Sequence, residues 1–252
     1  MGNKLGIAFA SAIAGGLLIS RLGRRWGATE DEVHASLPGD DVIPHPMLET
    51  THAVTIQAPA SAVWPWLAQA GYRGAGRAGW YTDAAWDPIL GKYILPLLAP
   101  AGDLPGNGVA PSVDRILPEF QQVAVGDIIP DGPPGTAWFT VREVKPGQAL
   151  VLYSDSHTRY LTPPRLQGTR WASYGEFTWV FVLRPEGGGA TRLILRTRAR
   201  FGPRALRSIA PLPFYLADFV FARLLLRGVK TRAEHFVGRQ APAARASRPV
   251  KA

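Results

Sequence analysis

Residues 211–236 read PLPFYLADFVFARLLLRGVKTRAEHF, and this stretch decides the fold. Wound at about 100° per residue, it places Arg223, Arg227, Lys230 and Glu234 on one stripe, with Phe214, Ala217, Phe221, Leu224, Leu225 and Gly228 on the opposite side. Such a helix wets one side and needs a cover for the other. Pro211 and Pro213 stand in the first turn, where a missing N–H costs little, and nothing breaks the run before Gly238. Asp218 is the exception, because it projects from the apolar side. The rest of the chain reads as the material that covers this helix.

There is enough of it. With 252 residues, 46% of them hydrophobic, the chain can bury a substantial core as one large domain or two small ones. Cysteine is absent, which removes disulfides, thiolate metal sites and a cysteine nucleophile. The formal net charge of +9 invites a nucleic-acid reading until the charges are located. Residues 1–25 hold Lys4, Arg21, Arg24 and Arg25, residues 237–252 hold Arg239, Arg245, Arg248 and Lys251, and neither end holds an acid. The ends therefore carry +8 and the middle +1. No nucleic-acid partner is expected from so neutral a middle. The basic ends suit anionic lipid or simple solvation.

From Leu5 to Ile19 the chain is uncharged and rich in Ala, Gly, Ile and Leu, with Lys4 before it and Arg21, Arg24 and Arg25 after it. A helix of that length reaches about 22 Å against a hydrocarbon core of about 30 Å, and tolerance of Ser20 and snorkelling of Arg21 lengthen it. Residues 1–25 are therefore expected to be a membrane anchor. The greater positive charge after the run leaves the main domain in the cytoplasm. A cleaved signal peptide, hinted at by Ala12-Ile13-Ala14, and a peripheral helix are the alternatives. Residues 26–49, with Asp31, Glu32, Asp40, Asp41 and several prolines, read as a linker wrapping onto a domain at 50–237. Residues 238–252 read as a basic disordered tail.

Thr51 to Ala58 alternates, with His52, Val54 and Ile56 on one side, and predicts a first strand ended by Pro59. Ser61 can cap a helix running to Ala70, with Pro65 in its first turn and Val63, Trp66, Leu67 and Ala70 on one face. Gly74, Gly76 and Gly79 match G-x-G-x-x-G but follow a helix rather than a strand, so they read as a flexible loop leading into Trp80, Tyr81 and Trp86. Residues 88–118, rich in Pro and Gly around Ile94 to Leu98, read as a long covering segment. After Val125 come strands at 138–144, 149–154, 173–183 and 191–200, separated by short turns that argue for an antiparallel meander. The last of them alternates Leu193, Leu195, Thr197 and Ala199 with Arg192, Arg196, Arg198 and Arg200. That arginine row reads as the solvated convex face, paired in part with Glu176.

The order is strand, helix, covering segment, antiparallel strands and long C-terminal helix. This resembles the helix-grip fold of the START-like superfamily, which includes pollen-allergen-type ligand carriers, lipid-transfer domains and the polyketide cyclase/dehydrase group. The resemblance is carried by Ile56-Gln57-Ala58-Pro59 with Ala62-Val63-Trp64, by Gly126-Asp127, by the strand Glu176 to Leu183, by Thr191-Arg192-Leu193 and by the terminal helix. It is narrower toward bacterial members with a hydrophobic N-terminal segment, through Arg25-Trp26-Gly27-Ala28-Thr29 and Leu37-Pro38-Gly39-Asp40-Asp41. It implies an α+β fold in which a curved antiparallel sheet wraps the long helix around a hydrophobic cavity. It implies no shared catalytic set.

The expected function is binding of a hydrophobic small molecule, lipid or polyketide-like, between sheet and helix. A cyclase- or dehydratase-type enzyme using an acid–base group there is the alternative. Trp66, Trp80, Tyr81, Trp86, Trp138 and Trp179 supply apolar walls with an occasional N–H donor, Phe221 and Leu225 come from the helix, and core packing competes as an account of all of them. Trp171 lies in a segment that could border the cavity as well. Tyr153 and Asp218 are the polar groups of the expected binding set, and Asp218 is the candidate proton carrier, with Tyr153, Glu176 and Arg232 behind it. Five scattered histidines, with Asp155 and His157 noted at strand spacing, predict no metal site, and no cofactor motif is present.

Overall fold

Alternating residues become strands where the pattern places them, in a computed structural model that describes residues 23–72, 112–131, 137–157, 174–202 and 211–246. The strands are β1 (Leu48–Ile56), β2 (Ile128–Pro130), β3 (Trp138–Lys145), β4 (Ala149–Ser154), β5 (Tyr174–Glu186) and β6 (Ala190–Gly202). They form one antiparallel sheet in the order β1-β6-β5-β4-β3-β2. The meander runs from β2 to β6, and β1 returns to pair with β6. The α-helices that pack with it among the described residues include α1 (Glu30–His34), α2 (Ala60–Ala68) and α3 (Pro211–Ala246).

The differences from expectation are local. β2 is three residues long, too short for a period to be read. Pro59 is the N-cap of α2 and no side chain caps it, so Ser61 lies inside the helix instead. α3 runs through Gly238 to Ala246, shortening the expected tail, since one helical glycine costs only about 1 kcal/mol. No helix among the described residues is long and apolar enough to cross a membrane, and the expected anchor at 5–19 lies outside them.

The sheet curves over the helices in a helix-grip arrangement. Phe139, Leu150, Leu152, Phe181 and Leu195 line its inner face and meet Trp66 and Leu67 of α2 and Leu225 and Val229 of α3. α3 packs chiefly on β1 and on α2, and Trp66 meets Phe236 edge-on at 6.5 Å. The stripe aimed inward is Asp218, Ala222, Leu225, Val229 and Ala233, rotated from the expected one, so that Phe221 stays partly exposed while Leu224 and Gly228 are buried. The charged stripe is also engaged. Arg223 and Arg227 lie over the Trp26 ring at 4.8 and 5.9 Å. Lys230 donates to the carbonyl of Thr55 and to Glu234.

The outer face is not solvated along its arginine row, because residues 26–47 cover it. Trp26 accepts from the Ala53 N–H on the free edge of β1. Gly27 (φ 73°) is required there, since a Cβ would come within 2.2 Å of the Ala53 carbonyl oxygen. Leu37, with Ala28, Ala35 and Val42 packed beside it, joins Ala53, Val151, Val180, Val182 and Ile194 in a second apolar cluster. α1 opens with a capping box between Thr29 and Glu32. Arg192 then grips Glu32 through two bonds of 2.7 and 2.8 Å. Burial alone would raise the Glu32 carboxyl, but the bonds from Arg192 and Thr29 outweigh it and hold it below the usual value. Arg196, 2% exposed, spends all five N–H groups on Thr51, Asp40 and the carbonyls of Glu32, Val33 and Ala35. Arg198 binds Glu49 and the Asp40 carbonyl. Only Arg200, with its half-exposed side chain on Glu176, fits the solvated reading. The stretch read as a linker is thus a layer of the domain.

Candidate functional site

Among the described residues, two clusters of polar side chains on the inner face stand out. The first is built on Asp218, which the inward stripe of α3 aims at β1. Its Oδ2 accepts from the Thr50 hydroxyl at 2.6 Å and pairs with His52 Nε2 at 2.9 Å. Thr50 and His52 alternate onto the same side of β1, so one carboxylate oxygen joins strand to helix. His52 is fully buried and its Nδ1 has no partner, which makes Nε2 the protonated, donating nitrogen. Thr197, opposite Thr50 on β6, also has a buried hydroxyl without a partner.

The second group stands at the other end of the sheet. The inner positions of β3 and β5 carry Phe139, Phe177 and Trp179. Phe139 stacks on Trp179 at 5.3 Å and meets Phe177 edge-on at 5.3 Å. Phe139 is fully buried, whereas Phe177 and Trp179 keep part of their surface accessible. Beside them lies His157, with its ring 4.9 Å from Phe139 and 4.8 Å from Phe177. Its Nε2 reaches Asp131 Oδ2 at 2.6 Å and its Nδ1 reaches Ser154 Oγ at 2.5 Å. Strand β4 aims Ser154 inward, and the end of β2 delivers Asp131.

Most of the expected site residues separate. Trp66 is core, fully buried between α2 and α3, and Leu225 is core as well. Trp179 faces inward and stays partly open. Trp138 and Tyr153 are corrected: alternation against Phe139 and Leu152 turns both to the outer face. Glu176, on that face too, accepts from Tyr153 at 2.8 Å, and Arg142 lies over the Tyr153 ring at 4.6 Å. Arg232 is buried against Asp114 and the Val113 carbonyl. Of the acid–base candidates only Asp218 faces the sheet interior. Trp80, Tyr81, Trp86, Trp171 and the glycine loop lie outside the described residues. Sequence reasoning passed over Thr50 and His52, although alternation already put His52 beside Val54 and Ile56. Ser154, Asp131 and His157 carry no local signal beyond the spacing of His157 to Asp155. Asp131 is 26 residues away in sequence, and only the sheet brings the two together.

Burial, and then the bond to Glu176, raise the Tyr153 hydroxyl to about 12. Because the unfolded chain ionises nearer 10, this contribution is whole below pH 10 and is lost as pH rises toward 12. Urea midpoints should therefore fall over that window in the native protein, and the fall should be shallower in Tyr153→Phe. Parallel curves for the two proteins would remove Tyr153 as the cause.

No protein-family model matches the chain, and no curated protein matches it in sequence. Among solved structures it is similar in fold to norcoclaurine synthase from Thalictrum flavum, at 15% identity over 76% of this chain and 94% of that one, with a TM-score of 0.33. A protein from Arthrobacter aurescens compares at 13% identity over 75% and 87%, with a TM-score of 0.37. One from Nitrosospira multiformis compares at 12% over 73% and 94%, with a TM-score of 0.36. These likenesses are loose, and the site rests on its own geometry.

Proposed function

We propose that the domain binds a hydrophobic small molecule against the inner face of its sheet. One observation supports the reading above the rest: Phe177 and Trp179, two large rings on the concave side, remain partly accessible while their neighbours Phe139 and Phe181 are closed off. Apolar surface left open on a concave wall, with a few polar groups beside it, is the composition of a ligand site. α3 packs chiefly on β1 and α2, away from Phe177 and Trp179 in the sheet order.

The test is fluorescence titration with N-phenyl-1-naphthylamine. The native protein should enhance its emission with saturable binding, and Trp179→Ala should weaken that binding about tenfold, the equivalent of about 1.4 kcal/mol of ring contact. Tyr153→Phe, on the outer face, should leave it unchanged. Equal affinity in native and Trp179→Ala proteins would remove this wall from the site.

The charge asymmetry around Leu5 to Ile19 adds a membrane anchor to the reading. Full-length protein should pellet with membranes and resist high salt, while a chain starting at Gly23, which keeps the packed Trp26, should stay in the supernatant. Release of the full-length chain by salt alone would leave only a peripheral attachment.

A further inference from the structure

The hydrogen bonds around His157 can be counted one proton at a time. Ser156 Oγ accepts from the Trp138 N–H at 2.9 Å and donates to the Trp138 carbonyl at 2.9 Å. Its own proton is thereby used. Ser154 Oγ lies 3.0 Å from Ser156 Oγ, accepts from the Ser156 N–H at 3.2 Å, and touches His157 Nδ1. For the contact between the two hydroxyls to hold a proton, Ser154 must donate to Ser156. Ser154 Oγ thus joins Ser156 to His157 Nδ1 in one chain of contacts. Nε2 faces a carboxylate oxygen and donates to it. The ring is thereby held at both nitrogens, by Ser154 at Nδ1 and by Asp131 at Nε2. The ring also packs against Phe139 and Phe177, which fixes its plane.

This arrangement leaves one atom unspent. Asp131 Oδ2 is taken by His157, but among the described residues nothing donates to Oδ1, and it is not among the buried atoms that lack a partner. The side chain is 23% exposed, beside an imidazole that is 22% exposed and adjoins the open aromatic wall. A fixed carboxylate oxygen at the edge of an apolar surface recognises a hydrogen-bond donor. With its Oδ2 already bonded to His157 and an apolar wall beside it, the carboxylate suits a neutral donor carried on an apolar ligand.

We propose that Asp131, locked by His157 and Ser154, is the polar recognition point of the site, and that its ligand is an apolar ring system carrying a hydroxyl. The proposal rests on the binding reading above, and it names the end of the ligand that reading leaves open. His157 acts through Asp131 and is a positioning residue. Ser154 and Ser156 fix the orientation of its ring.

The probes are 2-naphthol and 2-methylnaphthalene, close in shape and different in the one donor, measured by calorimetric titration on the full chain. Native protein should bind 2-naphthol about tenfold more tightly or better, as one hydrogen bond to a charged acceptor implies. Asp131→Ala should remove the preference by weakening 2-naphthol alone. Asp131→Asn, which keeps the shape and so guards against a variant that fails to fold, should narrow it to about threefold. Equal binding of the two probes by native protein, or a preference undiminished in the Asp131 variants, overturns the proposal and leaves the hydrophobic site standing. Failure of both probes to bind native protein overturns the site as well.

Discussion

Arg196→Ala should lower the unfolding free energy by about 3–5 kcal/mol, the range for removing one partner of a buried ion pair. The guanidinium is 2% exposed and every one of its N–H groups has an acceptor. Truncation strands the carbonyls of Glu32, Val33 and Ala35 and weakens the hold on Asp40, leaving Arg198 at 3.8 Å as its remaining ion partner. Arg196→Lys should recover little, because one ammonium cannot serve a planar set of five bonds. Arg200→Ala on the same strand is the control. Its half-exposed pair with Glu176 is worth at most about 1 kcal/mol. Urea denaturation measures the difference, and limited proteolysis locates it, since residues 26–47 should become the first cleaved stretch in Arg196→Ala. An Arg196→Ala protein as stable as Arg200→Ala would mean that the covering layer is held by its apolar cluster alone.

Asp218→Ala should cost about 2–4 kcal/mol. The Thr50 hydroxyl and the His52 Nε2–H lose their common acceptor, and each unsatisfied buried donor costs about 1–3 kcal/mol. His52 already has one buried nitrogen without a partner, so it cannot turn to recover the loss. Asp218→Asn should cost only about 1 kcal/mol, because an amide oxygen can accept both bonds. Denaturation curves for the pair decide whether the carboxylate is a joint between β1 and α3. Binding of N-phenyl-1-naphthylamine to the Asn variant decides the rest. If its stability is retained and binding is lost, the charge of Asp218 serves the ligand, and if binding survives, the residue is structural.

Both results bear on how the fold distributes its polar groups. The Asp218 joint lies where helix meets sheet and is closed to solvent, while the Asp131–His157 pair, at the other end of the sheet, is partly open. An acid–base reading of the interior therefore has two separate places to examine. The pH window of Tyr153 belongs to neither, because that residue faces outward with Glu176.

By itself the sequence determined the elements and their faces. Period two in β5 and β6 and an amphipathic run at 211–236 are local properties, and they were enough to predict an α+β sheet wrapped on a terminal helix, with Asp218 pointing the wrong way for a solvated residue. Only the tertiary structure decided what covers each face. Arg192, Arg196 and Arg198 look like a wet row because charge favours water, yet residues 26–47 bring carbonyls and carboxylates that replace that water bond for bond. Tyr153 and Trp138 look like cavity walls by residue type, but the register of β3 and β4 turns them outward. The pairing of Asp131 with His157 depends on strands that meet only once the sheet has formed. No local period records such a meeting, because it is a property of the register between strands and not of either strand alone.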